Sequence, residues 1–206
     1  HLPPCYFRRE QISCLVMKSS KPYYQDLREF IQALDTADKL YRIDREINKD
    51  TELQPLVRWQ FRGLEEKDRK AFLFENVTDS KKRKYQGSVL VGGLAGSADI
   101  YCLGVQCKPD EMIDRWKHAV DHPVEPVIVS DGPVTEEIHR GSDLLAHGGF
   151  NEFPVPISTP GVDNGPYITA GHWITKDPET GARNMGNYRG LIRGPGLSGL
   201  MIGTPQ

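Results

Sequence analysis

A β-hairpin pattern between residues 167 and 189 constrains the fold more than any other part of this 206-residue sequence. β-branched and aromatic residues alternate with others along residues 167–175, as is typical of a half-buried strand. Residues 177–181, Asp-Pro-Glu-Thr-Gly, place a proline early and a glycine late, which favours a tight turn. We therefore predict two strands joined by a short turn.

The second strand of this hairpin is rich in groups that can hold an anion. It carries Asn184, Asn187 and Arg189, and Gly186 and Gly190 allow a ligand to approach the backbone closely. A guanidinium presents a planar fork that matches a carboxylate or a phosphate. The sequence predicts an anion site here, with a solvent-exposed arginine as the simpler alternative.

Three separated motifs resemble those of one enzyme family. They are residues 163–169 (Asp-Asn-Gly-Pro-Tyr-Ile-Thr), residues 184–189 (Asn-Met-Gly-Asn-Tyr-Arg) and residues 203–206 (Gly-Thr-Pro-Gln). In this order and spacing they resemble the UbiD family, decarboxylases of aromatic and unsaturated acids that use prenylated FMN. A weaker resemblance extends back to residues 26–30.

The resemblance implies a reaction and its cofactors. The reaction is the reversible, non-oxidative loss of CO2 from an aromatic, heteroaromatic or α,β-unsaturated carboxylic acid. Loss of CO2 leaves an electron pair that needs a sink, which no side chain of the sequence supplies. The implied cofactors are prenylated FMN and Mn²⁺, with K⁺ as a further candidate. The implied partners are a small carboxylic acid and, in the full-length form, further copies of the same protein.

The resemblance also implies roles for single residues. Asn184 would bind the metal through its amide oxygen, a ligand that suits a hard cation; capping of the hairpin is its alternative role. Arg189 would be the catalytic residue, aligned with acidic groups that transfer the proton. The flavin and its phosphate would be contacted by Thr169, Asn184, Gly186, Asn187, Tyr188, Arg189 and Gln206.

Two of these residues have open alternatives. The family more often has an apolar residue at the position of Asn187, and Tyr188 could equally belong to the core of a barrel. Gln206 corresponds to a glutamine that precedes a metal-binding histidine in the family. That histidine and the family's glutamates are not among the 206 residues, and neither His147 nor His172 lies where it could replace them. We expect His172 to be structural.

The fold class predicted is α+β, in three parts. Residues 1–25 are expected to form a tail or extension, because they show no periodicity. Residues 26–122 alternate helical and strand patterns and predict an N-terminal α/β domain. Residues 123–206 contain closely spaced strand patterns, including residues 127–129 and 153–157. The resemblance implies that they begin a split β-barrel of the flavin-binding type.

Two features of the predicted α/β domain have a structural and a functional interpretation. A helix beginning at Pro109 carries an apolar stripe, which we expect to be core. Residues 92–96, Gly-Gly-Leu-Ala-Gly, precede Ser97 and could cradle a phosphate at a helix N-terminus. An ordinary turn from strand to helix is the alternative that we favour.

The net charge, the cysteine content and the hydropathy argue against nucleic-acid-binding, zinc-binding and membrane-spanning proteins. The formal net charge is −2, so nucleic acid and anionic membranes are not expected partners. The four cysteines have no zinc-site spacing, and they fit a reducing, cytoplasmic setting. No apolar run is long enough to span a membrane.

The sequence leaves two rival functions open. One is an FMN-dependent oxidoreductase on a split barrel. The other is a non-catalytic fragment or subunit that needs a partner chain. Because the sequence begins at His1 and stops at Gln206, we expect the N-terminal portion of a longer enzyme, which is inactive alone.

Overall fold

The computed structural model describes residues 23–200. Five α-helices occur among these residues: α1 (Leu27–Thr36), α2 (Leu53–Gly63), α3 (Ala98–Val105), α4 (Met112–Asp121) and α5 (Ser142–His147). The first five strands are β1 (Leu40–Ile43), β2 (Ile47–Asn48), β3 (Ala71–Phe74), β4 (Val77–Thr78) and β5 (Val89–Val91). The other five are β6 (Tyr167–Ile168), β7 (His172–Lys176), β8 (Arg183–Asn187), β9 (Gly190–Gly194) and β10 (Leu197–Leu200). The predicted mixture of helix and sheet is confirmed.

Strand β3 is the centre of the N-terminal sheet. It pairs with β1 in parallel and with β5 in antiparallel orientation. Successive side chains of a strand point to opposite faces, and all of β3 is buried because both faces of the sheet are covered. Ala71 and Leu73 pack with α1 and α3, whereas Phe72 and Phe74 pack with residues of α2.

Local capping defines where α1 and α3 begin. The Asp26 carboxylate accepts hydrogen bonds from the backbone N–H groups of Arg28 and Glu29. The Ser97 hydroxyl accepts one from the N–H of Ile100 at the start of α3. These bonds satisfy helix donors that have no partner inside the helix.

Helix α4 differs from its predicted role. None of its residues is buried, and the side chains of Ile113 and Val120 are 81% and 72% exposed. Trp116 is also exposed, and its Nε1 donates a hydrogen bond to the Tyr101 hydroxyl at 3.0 Å. The expectation that this apolar stripe forms core is therefore wrong for the part of the molecule that the structure describes.

The chain after α4 contains little regular structure until β6. Two predicted strands, residues 127–129 and 153–157, are not strands in the structure. Val127, Ile128 and Val129 lie exposed and have no strand partner among residues 23–200. An apolar run alone cannot form a strand, because the backbone groups of a strand need a partner.

The predicted hairpin forms only over β7 and β8: its expected first strand, residues 167–175, is divided between β6 and β7 in two different sheets, and Arg189 lies beyond the end of β8. β7 and β8 make a two-stranded antiparallel sheet, while β9 pairs with β6 on one side and β10 on the other. Within residues 23–200 these strands do not close into a barrel. None of the helices described is long and apolar enough to cross a bilayer.

Candidate functional site

The turn of the hairpin is held by one carboxylate. Asp177 accepts a hydrogen bond from the backbone N–H of Glu179 at 2.8 Å and another from the Thr180 hydroxyl at 2.8 Å. The bonds from Glu179 and Thr180 lower the pKa of the Asp177 carboxyl. Gly181 has a φ of +74°, which an L side chain rarely adopts. The turn predicted from local sequence is therefore confirmed.

Asn184 lies on an accessible strand. It is opposite Thr175 in the register of the hairpin, and its side chain is exposed. Within residues 23–200 the side-chain amide of Asn184 makes no hydrogen bond, so its Oδ1 is available to a ligand. Among the described strands β8 pairs only with β7, which leaves alternate backbone N–H groups of its outer edge free.

Trp173 fixes the chain that follows β8. It lies opposite Gly186, and its indole Nε1 donates a hydrogen bond to the carbonyl oxygen of Tyr188 at 2.9 Å. A side chain at Gly186 would collide with the Tyr188 ring, and one at Gly190 would meet the indole. The half-buried indole therefore sets the backbone path on both sides of Arg189.

Arg189 is held by two groups of the preceding motif. Its Nη2 donates a hydrogen bond to Asp163 Oδ1 at 3.1 Å, and its guanidinium carbon lies 4.0 Å from the centroid of the Tyr167 ring. Cation–π contact and ion pairing both favour this arrangement. The Arg189 side chain is 51% exposed, so the guanidinium can still reach a ligand.

Asp163 is itself held in a fixed position, so it can orient Arg189. Its side chain is only 12% exposed, and its Oδ2 accepts the backbone N–H of Thr159 at 2.7 Å. Burial alone would raise the pKa of Asp163, but the hydrogen bonds from Arg189 and Thr159 bring it below the usual value. Arg58 of α2 donates hydrogen bonds to the Ser158 carbonyl oxygen and the Thr159 hydroxyl. Helix α2 thus supports the loop that holds Asp163.

The predicted site residues are brought together only in part. Gly186 and Tyr188 both contact Trp173, Arg189 follows Tyr188 directly, and Thr169 lies exposed just after β6. Asn184 and Asn187 are exposed on β8, and no hydrogen bond within residues 23–200 joins Asn184 to Arg189. His172 is exposed opposite Asn187. Gln206 and most of the predicted extension, residues 1–25, lie outside the described residues.

Sequence reasoning missed Trp173 and the role of Asp163. The available signal for Trp173 was an indole on the alternating strand, since a half-buried indole N–H usually finds a partner. The motif 163–169 assigns Asp163 no role of its own. Its ion pair with Arg189 joins residues 26 positions apart, which no local pattern predicts.

The glycine-rich stretch before α3 is an ordinary turn. The backbone N–H of Ala98 donates to the Glu66 carboxylate at 2.8 Å, and Ser97 caps the N–H of Ile100. A cavity of about 340 Å³ lies here, but the helix N-terminus that would attract a phosphate already faces a carboxylate. The structure therefore favours the turn over the phosphate cradle.

The sequence matches two family models. Residues 31–120 match the 3-octaprenyl-4-hydroxybenzoate carboxy-lyase N-terminal domain, and residues 127–206 match the Rift-related domain of the same enzymes. An uncharacterized protein in the cooM 5'region of Rhodospirillum rubrum is 30% identical over 169 residues. That match covers 82% of this chain and 34% of the relative.

Solved structures agree with these matches. The UbiD-class enzyme HmfF from Pelotomaculum thermopropionicum, solved with FMN, superposes with a TM-score of 0.70 at 28% identity, covering 87% of this chain and 37% of HmfF. The apo 3,4-dihydroxybenzoic acid decarboxylase of Klebsiella pneumoniae shares the fold, with a TM-score of 0.74 at 24% identity over 89% of this chain and 38% of that one. The chain thus spans little more than a third of these proteins. It belongs to the UbiD family and corresponds to an N-terminal portion of its members.

Proposed function

We propose that the chain is the N-terminal part of a prenylated-FMN-dependent carboxy-lyase. The reaction is the reversible, non-oxidative decarboxylation of an aromatic, heteroaromatic or α,β-unsaturated acid. The observation that carries the proposal is the guanidinium of Arg189, which Asp163 and Tyr167 hold in place while half of it stays exposed. The similarity to HmfF, which is solved both with FMN and with prenylated FMN, supports the choice of cofactor.

The residues present fit a flavin phosphate and a divalent metal. Asn184 offers an exposed amide oxygen, which suits Mn²⁺. The chain from Gly186 through Asn187, the last residue of β8, to Tyr188 is the proposed source of backbone N–H groups for a phosphate. Thr169, Asn187 and Gln206 complete the proposed flavin contacts, and K⁺ is a candidate second ion. When bound, prenylated FMN supplies the electron sink that the side chains lack.

Arg189 is the proposed catalytic residue of this chain. One terminal nitrogen donates to Asp163, which leaves the other N–H groups of the fork for a substrate carboxylate. Because the pKa of Asp163 is lowered, its carboxylate stays ionised at neutral pH and keeps the guanidinium oriented. The charge is therefore fixed before the substrate arrives, and little reorganisation is needed when it binds.

The remaining architecture is part of the same proposal. In this proposal, residues 26–122 are an α/β domain and residues 123–206 begin a split β-barrel. The exposed edge of β8 and the exposed side chains of Ile174 and Met185 support a sheet that further strands extend. The low cysteine content, with Cys102 and Cys107 both free thiols, supports a cytoplasmic location.

Catalysis is proposed to need more than these 206 residues. By resemblance, the histidine and glutamate that complete the metal site and the glutamates that transfer the proton belong to later parts of the family fold. The same comparison favours a homo-oligomer for the whole enzyme. The 206-residue chain alone is therefore proposed to bind the cofactor's phosphate end without turning over substrate.

The test measures CO2 release from cinnamate-, hydroxybenzoate- and furoate-like acids, with prenylated FMN and Mn²⁺. The chain is assayed alone and mixed with a polypeptide that carries the family's downstream histidine and glutamates. Release is expected only from the mixture. Arg189→Lys should lower it by roughly 100-fold, the cost of losing one preorganised donor, whereas the exposed neighbour variant Arg193→Lys should not. Bleaching of bound flavin by reduced nicotinamide, without CO2 release, would instead support an oxidoreductase.

A further inference from the structure

A second group of ligand-type side chains lies away from the hairpin. One imidazole nitrogen of His139, one of His147 and a carboxylate oxygen of Asp143 all lie within 4.8 Å of one another. Asp143 and His147 belong to α5, where a spacing of four residues puts them on one helix face. His139 lies outside the helix, four residues before Asp143. We infer that these three side chains bind a divalent transition-metal ion of the zinc type, at a site separate from the proposed flavin metal.

The distances need only small adjustments to reach metal geometry. His139 Nδ1 is 2.9 Å from Asp143 Oδ2, and His147 Nε2 is 3.7 Å from Asp143 Oδ1. Ligands of a tetrahedral zinc ion, bonded at about 2.0–2.1 Å, lie roughly 3.3 Å apart. The side chains of Asp143 and His147 are 55% and 50% exposed, so both can rotate into place.

The chemistry of the three groups favours zinc over calcium or magnesium. Two imidazoles and one carboxylate are nitrogen and oxygen ligands that zinc accepts, whereas calcium and magnesium prefer oxygen alone. The two imidazole rings are stacked, with centroids 3.7 Å apart, and face one shared carboxylate. Glu137 Oε2 lies 3.7 Å from His139 Nε2 and adds negative charge that favours a cation. A water molecule would take the fourth position.

The surrounding fold gives such an ion a structural role. The chain that follows α5 contacts the turn between β9 and β10. The backbone N–H of Phe150 donates to the Pro195 carbonyl oxygen at 2.8 Å, and Gly149 packs directly against that same carbonyl. His139, in contrast, lies near the end of residues 123–141, a stretch that contains only one short 3₁₀ turn, Pro133–Thr135. A metal held by His139 and the two ligands of α5 would therefore connect this irregular stretch to the sheet of β6, β9 and β10.

A second histidine pair provides the necessary comparison. His118 of α4 and His122, directly after the helix, stack with ring centroids 4.2 Å apart, but no carboxylate joins them in a cluster of three ligand groups among the described residues. Because two histidines four residues apart on a helix can bind a metal weakly, His118→Gln is used as the parent in every measurement. His172→Gln is the matched control, since His172 is an exposed histidine outside the cluster.

The test uses Co²⁺ as a visible probe of zinc sites on the 206-residue parent. We expect one Co²⁺ per chain with the absorption of tetrahedral coordination, displaced by Zn²⁺. His147→Asn should abolish the absorption, and His172→Gln should retain it. Circular dichroism checks that each variant folds.

Cleavage by trypsin provides a second measurement, independent of the Co²⁺ absorption. Arg140 follows His139 directly and is exposed, so cleavage after it reports whether the segment is held. Zn²⁺ should slow this cleavage in the parent and in His172→Gln, but not in His147→Asn. The inference is overturned if the parent binds no Co²⁺, if His147→Asn binds it unchanged, or if Zn²⁺ leaves cleavage at Arg140 unaffected in the parent.

Discussion

Gly190→Ala tests whether the packing around Arg189 is as tight as the structure indicates. Gly190 is buried in the centre of its sheet, paired with Ile168 on one side and Leu200 on the other. A Cβ added there would lie 2.9 Å from Trp173 Cζ2 and 3.0 Å from Ser198 Oγ. Favourable contacts between carbon atoms lie at about 3.5–4.0 Å, so the indole or the strand has to move by roughly 0.6 Å.

The cost follows from what holds Trp173. Its Nε1 bond to the Tyr188 carbonyl oxygen would be stretched, which costs about 1 kcal/mol. Overpacking of a filled site costs about 1–3 kcal/mol, and the lower chain entropy of alanine in the unfolded state returns about 0.4–1 kcal/mol. We therefore expect Gly190→Ala to lower the free energy of unfolding by about 2 kcal/mol.

Gly194→Ala is the matched control, because it lies at the other end of β9 and a Cβ there would have no neighbour within 4 Å. It should change the free energy of unfolding by less than about 0.5 kcal/mol. Urea unfolding followed by tryptophan fluorescence measures both variants. In thermal unfolding, at roughly 2–4 °C per kcal/mol, the midpoint temperatures of the two variants should differ by about 4–8 °C. Equal stability of the two variants would refute the packing described around Trp173.

The other predictions concern the N-terminal unit. Leu34→Ala should lower the free energy of unfolding by about 2–5 kcal/mol, because Leu34 is fully buried, whereas Leu27→Ala on the exposed face of α1 should change it by less than about 0.5 kcal/mol. Burial opposes ionisation of Asp79, but hydrogen bonds from the Arg83 backbone and the Tyr85 hydroxyl lower its pKa below the usual value. Asp79 therefore stabilises the fold above its unfolded pKa of about 4, and this contribution is lost as the pH falls through its lower folded pKa. Asp79→Asn should lower the free energy of unfolding by about 1–2 kcal/mol at pH 7. The difference in urea midpoint between the unchanged chain and the variant should shrink in acid. A difference that stays constant with pH would contradict this.

The elements set by local chemistry could be predicted from the sequence. The β7–β8 turn follows from a proline and a glycine placed around Asp177, and the start of α1 follows from the Asp26 cap. In both cases the decisive hydrogen bonds join residues within four positions of one another. Such contacts are visible in any short window of sequence.

Features that depend on distant partners could not be predicted. The apolar stripe of α4 specifies a face that favours burial but not the surface that would cover it, and it is exposed among the described residues. The same limit applies to the run 127–129, which lacks a strand partner there. In the candidate site, Arg189 could be named from its motif, while its contacts with Asp163 and Tyr167 depend on how segments more than 20 residues apart fold together. The His139 cluster had a readable spacing of four residues, but histidine spacing alone did not indicate that the rings meet.

The most direct test of the proposed function is Mn²⁺ binding to the chain in the presence of FMN, followed by electron paramagnetic resonance. The proposed function predicts that FMN strengthens Mn²⁺ binding, because Asn184 would hold the metal beside the flavin phosphate. Asn184→Ala should remove this FMN-dependent binding, and Arg193→Ala should leave it unchanged. Binding that is equally strong with and without FMN, or equally strong in Asn184→Ala, would contradict the account.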